Sequence, residues 1–179
     1  MSPTTRRVLK PGGPAAQREL AALLDAIWVS EVVRPSKFLI VAAPDLGDGS
    51  AVDNRAGGFS DLEPNWGERV VRLSDVLLRV LAHGGEAWVL TRCRVGSSNL
   101  LLARLRERAV ESGMANHLRT AEVEALPTAG VYGDGFTLAG PIAFSERGPD
   151  FAGEGVVFDL DPVSAQRSSI RASFEGLLT

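Results

Sequence analysis

The sequence predicts an α/β fold, built on a mixed and mostly parallel sheet flanked by helices. Two apolar runs, "FLIVAA" and "AWVL", have strand length and no internal alternation, which is typical of buried parallel strands. Stretches with apolar residues at helical spacing come before, between and after these runs. Strands that alternate with helices in this way predict right-handed βαβ units with helices on both faces of the sheet.

Composition bounds the class of protein. The chain has 179 residues, 45% of them hydrophobic and 23% charged, which predicts one soluble globular domain. The net charge of -3 gives no overall sign of nucleic-acid binding but does not exclude a local basic patch. A single cysteine, Cys93, excludes a disulfide within one chain and indicates a cytoplasmic location. No apolar run approaches the roughly 20 residues of a membrane-spanning helix.

The N-terminal third begins with a polar segment. Residues 1–13 are rich in proline and glycine and predict a flexible arm, so that the domain proper covers 14–179. A helix is predicted over 14–33, with Pro14 in its first turn, and a buried strand over 37–44. The loop 45–69 is full of Gly, Asp and Asn, and a loop of this length in a compact domain is often functional.

The middle of the chain predicts a second βαβ unit. An amphipathic helix is predicted over 71–85 and ends in two glycines, followed by a buried strand over 86–92. A third helix is predicted over 97–113, with Ser97 or Ser98 as its N-terminal cap.

The last third predicts strands and a closing helix. A third strand lies within 116–126, and residues 129–140 predict two short strands around the turn "GDG". A further strand is predicted over 154–161. The final helix is predicted over 161–178, with Asp161 as its cap.

From about residue 14 to 178, these features resemble one half of a phospholipase D-superfamily enzyme of the bacterial nuclease-like type. The resemblance rests on the order of elements and on the segment "EALPTAGVYGDGFTLAGPIAFSERG". In that family, a hairpin at this place carries His-x-Lys-x4-Asp. The histidine position falls at Pro127 and the lysine position at Ala129, whereas the aspartate is kept as Asp134.

The positions that follow the hairpin show the same pattern. In the family, a Gly-Ser-x-Asn type of turn comes next, and an acidic residue precedes the last strand. Gly140 matches the glycine, but Pro141 takes the small polar position and Ala143 the asparagine position. Glu154 matches the acidic residue. The residues that shape the family's fold are therefore kept, and those that carry its chemistry are replaced.

The resemblance implies a function. In the family, one histidine attacks phosphorus and a second, from the other half-site, protonates the leaving oxygen. Neither Pro127 nor Ala129 can attack, donate a proton or carry charge. The implied protein is a catalytically degenerate subunit for assembly or nucleic-acid binding. With one half-site per chain, it is expected to be a homodimer or part of a larger complex, such as a bacterial DNA-processing or anti-phage system. No cofactor is expected.

Other interpretations stay open. Asp134 is either a catalytic remnant or simply a residue that suits a tight turn. "HLRTAEVE" imitates the motif with His117, Arg119 and Glu124, so an active phosphodiesterase with displaced or partner-supplied residues is one alternative. A non-enzymatic protein-interaction domain is another. The two distant histidines and one cysteine predict no metal site.

Candidate phosphate-binding residues follow from where the strands end. The carboxyl ends of strands in open α/β sheets are the usual ligand edge. The candidates are the polar residues that follow the strands or lie in and beside the long loop, namely Arg92, Arg94, Asn54, Arg55, Arg69 and Arg147. Alternatively, these arginines are surface residues paired with the abundant acidic ones. Trp66, in the same loop, predicts either a partner anchor or a lid packed on its own domain.

Overall fold

The computed structural model describes residues 6–10, 12–92, 96–145, 148–151, 155–160 and 165–178, without the side chains of 96–99, 148 and 165–167. The four helices within these residues are α1 (Pro14–Val33), α2 (Leu73–Ala82), α3 (Gly96–Glu111) and α4 (Ala165–Glu175). Short 3-10 turns cover Pro64–Trp66 and Ala115–His117. The strands are β1 (Arg6–Leu9), β2 (Phe38–Ala43), β3 (Ser50–Asp53), β4 (Val70–Arg72), β5 (Glu86–Arg92), β6 (Leu118–Val123), β7 (Gly130–Tyr132), β8 (Thr137–Ala139), β9 (Ile142–Ser145), β10 (Gly148–Phe151) and β11 (Val156–Asp159).

The central sheet is mixed, with the strand order β1-β11-β8-β7-β2-β5-β6. β2 and β5 pair in parallel, as do β5 and β6, which confirms the parallel core predicted from the two apolar runs. The remaining four neighbour pairs are antiparallel. The sheet is therefore mixed, as predicted, but the prediction that most of its strands are parallel is wrong. Antiparallel pairs predominate because the β7–β8 hairpin and the two strands beyond it extend the sheet without crossover helices.

Helices cover both faces of this sheet. Alternate residues of β2 point to opposite faces, so Leu39 and Val41 join the core beneath α1, α2 and α3. Ile40 and Ala42 join a second, smaller core that includes Phe174 of α4. The α/β class and the flanking helices agree with the sequence prediction.

Part of the predicted flexible arm is a strand. Arg6–Leu9 form β1, which pairs antiparallel with β11 at the edge of the sheet. The composition of residues 1–13 favours an open chain, but backbone hydrogen bonds to an existing strand edge do not depend on side-chain pattern. Tertiary pairing therefore decides the conformation here.

The predicted loop 45–69 is also more ordered than its composition indicates. Its residues 50–53 form β3, which pairs antiparallel with β4. The rest of the loop folds around the 3-10 turn at Pro64–Trp66. Two predicted helix caps cannot be placed: Asp161 lies outside the described residues, and the side chains of Ser97 and Ser98, inside the first turn of α3, lie outside the described side chains.

The predicted hairpin at 129–140 is confirmed. β7 and β8 pair antiparallel, with Tyr132 opposite Thr137 around the "GDG" turn. At Gly130, a Cβ atom would collide with the Leu138 carbonyl oxygen and lie 2.7 Å from the Tyr132 hydroxyl. The close packing of the two strands thus requires glycine at this position.

Within the described part of the chain, no helix has both the length and the apolar character needed to cross a membrane.

Candidate functional site

Asp134 lies at the amino end of the parallel strands. Its carboxylate accepts the backbone N–H of Lys37, the residue before β2, at 2.6 Å. Its own backbone N–H donates to the Ser36 hydroxyl at 3.1 Å. The acidic residue of the resembled motif therefore fastens the hairpin turn to the start of β2.

The replaced positions lie at the other end of the hairpin. Gly130 is paired with Ala42, close to the carboxyl end of β2, so Pro127 and Ala129 lie beyond that end. The Ala129 carbonyl accepts the Gly140 N–H at 2.9 Å. About 10 Å of strand separates this end of β7 from the turn that holds Asp134. The kept and the replaced motif residues are thus not neighbours.

Of the remaining motif positions, those within the described residues bring no reactive group to this end of the hairpin. Ala143 lies in β9, where its register partner is Asp150, and Pro141 is exposed. Glu154 lies outside the described residues. His117, from the alternative motif, is exposed in the 3-10 turn before β6, and Arg119 stacks over the Trp88 ring at 5.5 Å.

Beside Asp134 lies a buried carboxyl group. Glu31, near the end of α1, is only 2% exposed. It accepts the Ser36 hydroxyl at 2.6 Å and the Ser36 backbone N–H at 2.8 Å. Burial raises the pKa of Glu31, the hydrogen bonds from Ser36 lower it by less, and the negative charge of Asp134 adds to the rise. We therefore expect the stability of this corner of the fold to depend on pH.

Two of the candidate phosphate-binding residues have structural contacts instead. Asn54 is 1% exposed. Its amide donates to the Gly67 carbonyl at 2.7 Å and accepts the Phe59 N–H at 2.8 Å, so it holds the long loop together and is not available to a ligand. Arg55 is exposed but forms a two-point ion pair with Asp53, at 2.9 and 2.7 Å. The hydrogen bonds from Arg55 lower the pKa of Asp53 to about 2.

The other candidates are scattered. Arg92 is exposed at the carboxyl end of β5, whereas Arg94 and Arg147 lie outside the described residues. Of the candidates that the structure describes, only Arg69 belongs to a larger group of cations. Its guanidinium donates to the Asp75 carboxylate at 2.7 Å and to the Val70 carbonyl at 2.9 Å.

This group lines a cleft of about 280 Å³ between the start of α2 and the exposed side of α3. We call it the arginine cleft. Its lining consists of four arginines, three acidic residues and one serine: Arg69, Arg72, Arg104, Arg108, Asp48, Asp75, Glu107 and Ser74. Its formal charge is therefore positive by one, in a protein whose overall charge is -3.

A buried carboxylate orients two of these arginines. The Asp75 side chain is 3% exposed and accepts Arg69 at 2.7 Å on one oxygen and Arg108 at 3.2 Å on the other. Burial acts to raise the pKa of Asp75, but the hydrogen bonds from Arg69, Arg72 and Arg108 outweigh it and lower the pKa overall. Each bond to Asp75 uses one terminal nitrogen. Among the described residues, the second terminal nitrogen of Arg69 and of Arg108 has no partner, so both remain free to donate to a ligand.

Asp48 fixes the opposite wall of the cleft. Its carboxylate accepts the Ser74 backbone N–H at 2.9 Å and the Ser74 hydroxyl at 3.0 Å, which caps the first turn of α2. Its carbonyl accepts the Arg72 guanidinium at 3.2 Å. Asp48 therefore both caps α2 and positions the Arg72 side chain in the wall of the cleft.

A second cleft of about 200 Å³ shares Arg69 and Arg108 with the first. Its far side is the folded-down loop, where Trp66 is buried and Arg79 stacks over its ring at 5.7 Å. Arg79 also donates to the carbonyls of Val32 and Leu62, at 2.5 and 3.0 Å. The lid interpretation of Trp66 is therefore confirmed, and the loop is fastened to the ends of α1 and α2.

Sequence reasoning found Arg69 but missed the rest of the arginine cleft. Arg104 and Arg108 are four positions apart, which places them on the same side of the predicted helix. That signal was available. What the sequence did not show is that this side faces the start of α2 and the buried Asp75.

Comparisons with known proteins support the fold class only. No family model matches the sequence, and no curated protein matches it. Among solved structures, the polyphosphate kinase from Porphyromonas gingivalis aligns with a TM-score of 0.51 at 9% identity, over 97% of this chain and 23% of that chain. The archaeal chromatin protein TrmBL2 aligns with a TM-score of 0.47 at 11% identity, over 96% of this chain and 52% of that one. This chain therefore spans about a quarter of the polyphosphate kinase and about half of TrmBL2.

Proposed function

We propose that this protein is a catalytically degenerate phospholipase D-like subunit that binds the phosphate groups of a nucleic-acid backbone through the arginine cleft. The observation that carries the proposal is the pair Arg69 and Arg108. Each arginine is oriented by an ion pair with the buried Asp75, and each keeps a terminal nitrogen that can donate to a ligand. A guanidinium stays charged at all physiological pH values and matches two phosphate oxygens at once.

The degenerate character rests on the motif residues. Proline and alanine at positions 127 and 129 offer no nucleophile, and Asp134 serves the fold through Lys37. A phosphodiesterase needs a group that attacks phosphorus and one that protonates the leaving oxygen. A scaffold without them still presents a rigid surface with oriented cations, which is sufficient for binding.

The arginine cleft is better suited to bind the phosphate backbone of a nucleic acid than to recognise the edges of its bases. The arginine cleft is polar throughout and offers no exposed aromatic ring on which a base could stack. Arginine contacts to phosphates position a nucleic acid without reading its sequence. We therefore expect little sequence preference. The resemblance alone further suggests a role within a larger assembly, such as a bacterial DNA-processing or anti-phage complex.

The test is a binding and cleavage experiment on the intact chain. Fluorescence anisotropy with labelled single- and double-stranded DNA and RNA, over a series of salt concentrations, measures affinity and its salt dependence. The same mixtures, kept with EDTA and run on gels, report cleavage. The informative variant is the double substitution Arg69→Ala with Arg108→Ala, and the matched control is Arg18→Ala, an exposed arginine of α1.

We expect binding that weakens steeply with salt, is reduced at least tenfold by the double substitution, and is unchanged by the control. Cleavage of any substrate by the pure protein would overturn the degenerate-site proposal. Absence of binding to all four nucleic acids would overturn the binding proposal and favour a protein-interaction domain.

A further inference from the structure

The outer edge of the central sheet is open at β6. β6 is the last strand in the order and has β5 as its neighbour on one side only. On its other side, no strand pairs with it among the residues that the structure describes. The N–H and C=O groups of alternate residues of β6 point away from β5, and an edge of this kind is a ready-made template for another strand. A natural protein usually protects such an edge or uses it.

The pattern of β6 fits a second copy of itself. When two identical edges pair antiparallel about a two-fold axis, the axis stands perpendicular to the sheet and each face continues across the junction. Residues opposite each other must then lie on the same face. With the axis at Ala121, Thr120 lies opposite Glu122 of the partner subunit, and Thr120 and Glu122 share the face on which α3 packs.

The side chain of Arg106 already lies beside Thr120. Arg106 of α3 donates through Nε to the Thr120 hydroxyl at 2.7 Å, and its side chain is exposed. The exposed carboxylate that arrives opposite Thr120, Glu122 of the partner subunit, would come within reach of Arg106. Because the arrangement is symmetric, the same ion pair would form twice.

The exposed side of α3 adds apolar surface beside this edge. Val110 is 66% exposed and is among the most exposed large apolar side chains of the described residues. Val110 lies one helical turn from Arg106 and therefore on the same flank of α3. In the paired arrangement, the two copies of α3 lie on the same side of the joined sheet, and the flank that carries Val110 faces the partner subunit.

We propose that the protein forms a two-fold symmetric homodimer in which β6 pairs antiparallel with β6 of a second copy. The Arg106–Glu122 ion pairs fix the register, and α3 packs against α3. The joined sheet then has twice as many strands and no open edge at β6. The inference does not use the arginine cleft, so it stands or falls independently of the proposed function.

The test combines mass measurement with a charge swap. Light scattering and sedimentation over a range of protein concentrations give the mass of the wild-type chain, of Arg106→Glu, of Glu122→Arg and of the double variant. Arg18→Glu is the matched control on α1, and circular dichroism checks that each variant folds. We expect a dimer for the wild type and the control, monomers for each single swap, and a restored dimer for the double swap.

Hydrogen exchange tests where the contact forms. The amides of residues 118–123 are expected to become more protected as the protein concentration rises. A wild type that stays monomeric at every concentration overturns the proposal. So does a dimer that neither swap weakens, or one whose concentration-dependent protection lies away from β6, because either result places the contact on another surface.

Discussion

The Asp134 carboxylate and the Lys37 backbone N–H are joined by a hydrogen bond of 2.6 Å, which connects the hairpin turn to the first residue before β2. These residues are 97 positions apart in the chain. The contact gives Asp134 a structural task at the amino end of the sheet, far from the positions where the resembled family has its nucleophile.

Replacing Asp134 is expected to affect stability and leave binding unchanged. Asp134→Ala should lower the free energy of unfolding by about 1–2 kcal/mol, because the Lys37 N–H loses a charged acceptor. Asp134→Asn should cost less, since its amide oxygen can still accept. Urea unfolding measures both. A loss of nucleic-acid affinity without a loss of stability would contradict this assignment.

The pair Asp75 and Arg69 should matter more than an exposed pair of the same geometry. Asp75→Asn leaves two arginines without their buried partner and is expected to cost about 1–3 kcal/mol of unfolding free energy. Asp53→Asn breaks an ion pair of the same length that is exposed on both sides. Because both partners are exposed to solvent, we expect no measurable loss of stability from this variant. Equal losses of unfolding free energy for the two variants would show that the burial of Asp75 does not strengthen its ion pair.

The buried Glu31 predicts a pH dependence of stability. Its pKa in the folded protein is raised above the ordinary value of 4.5, so the folded state holds the proton more tightly than the unfolded state does. The stability gained from protonated Glu31 is complete below pH 4.5 and is lost as the pH rises through the folded pKa. Relative to Glu31→Gln, the wild type should therefore become less stable as the pH rises above 4.5. Unfolding curves over a pH series measure this difference, and parallel curves would contradict it.

The arginine cleft predicts a change in salt dependence. Arg104 lines the cleft and has no hydrogen bond or ion pair among the described residues, so Arg104→Gln should leave stability unchanged. If Arg104 contacts one phosphate, the slope of log K against log salt should fall by about 1. Anisotropy titrations at several salt concentrations measure the slope. An unchanged slope would exclude Arg104 from the contact surface.

Gly130 predicts a packing effect in the hairpin. Gly130→Ala places a methyl group against the Leu138 carbonyl oxygen and the Tyr132 hydroxyl. The expected cost is about 1–3 kcal/mol of unfolding free energy. Gly135→Ala, in the same hairpin, has no atom within 4 Å of the new methyl group and serves as the control. Comparable losses at both positions would locate the effect in the backbone and not in packing.

The sequence predicted the parts of the fold that side-chain pattern determines. β2 and β5 were found because a run of apolar residues at strand length has few alternatives, and the hairpin was found from its turn. β1 was missed because "RRVL" has no strand pattern of its own. Its conformation is decided by β11, a strand almost 150 residues further along the chain.

The site was only partly predictable, for a related reason. Asn54 and Arg69 come from the same polar stretch, yet one is buried in the loop and the other lines the arginine cleft. Composition cannot separate these roles because both depend on which way the loop folds. Arg108 was missed since its partner, Asp75, belongs to another helix 33 residues away.

The anchoring of the hairpin at one end also has a consequence for the other end. The Asp134 carboxylate holds the turn through the backbone N–H of Lys37, so residues 127 and 129 can change without loosening that attachment. The Asp134–Lys37 contact and positions 127 and 129 therefore lie at separate ends of β7, so Pro127→His combined with Ala129→Lys is expected to leave that contact intact.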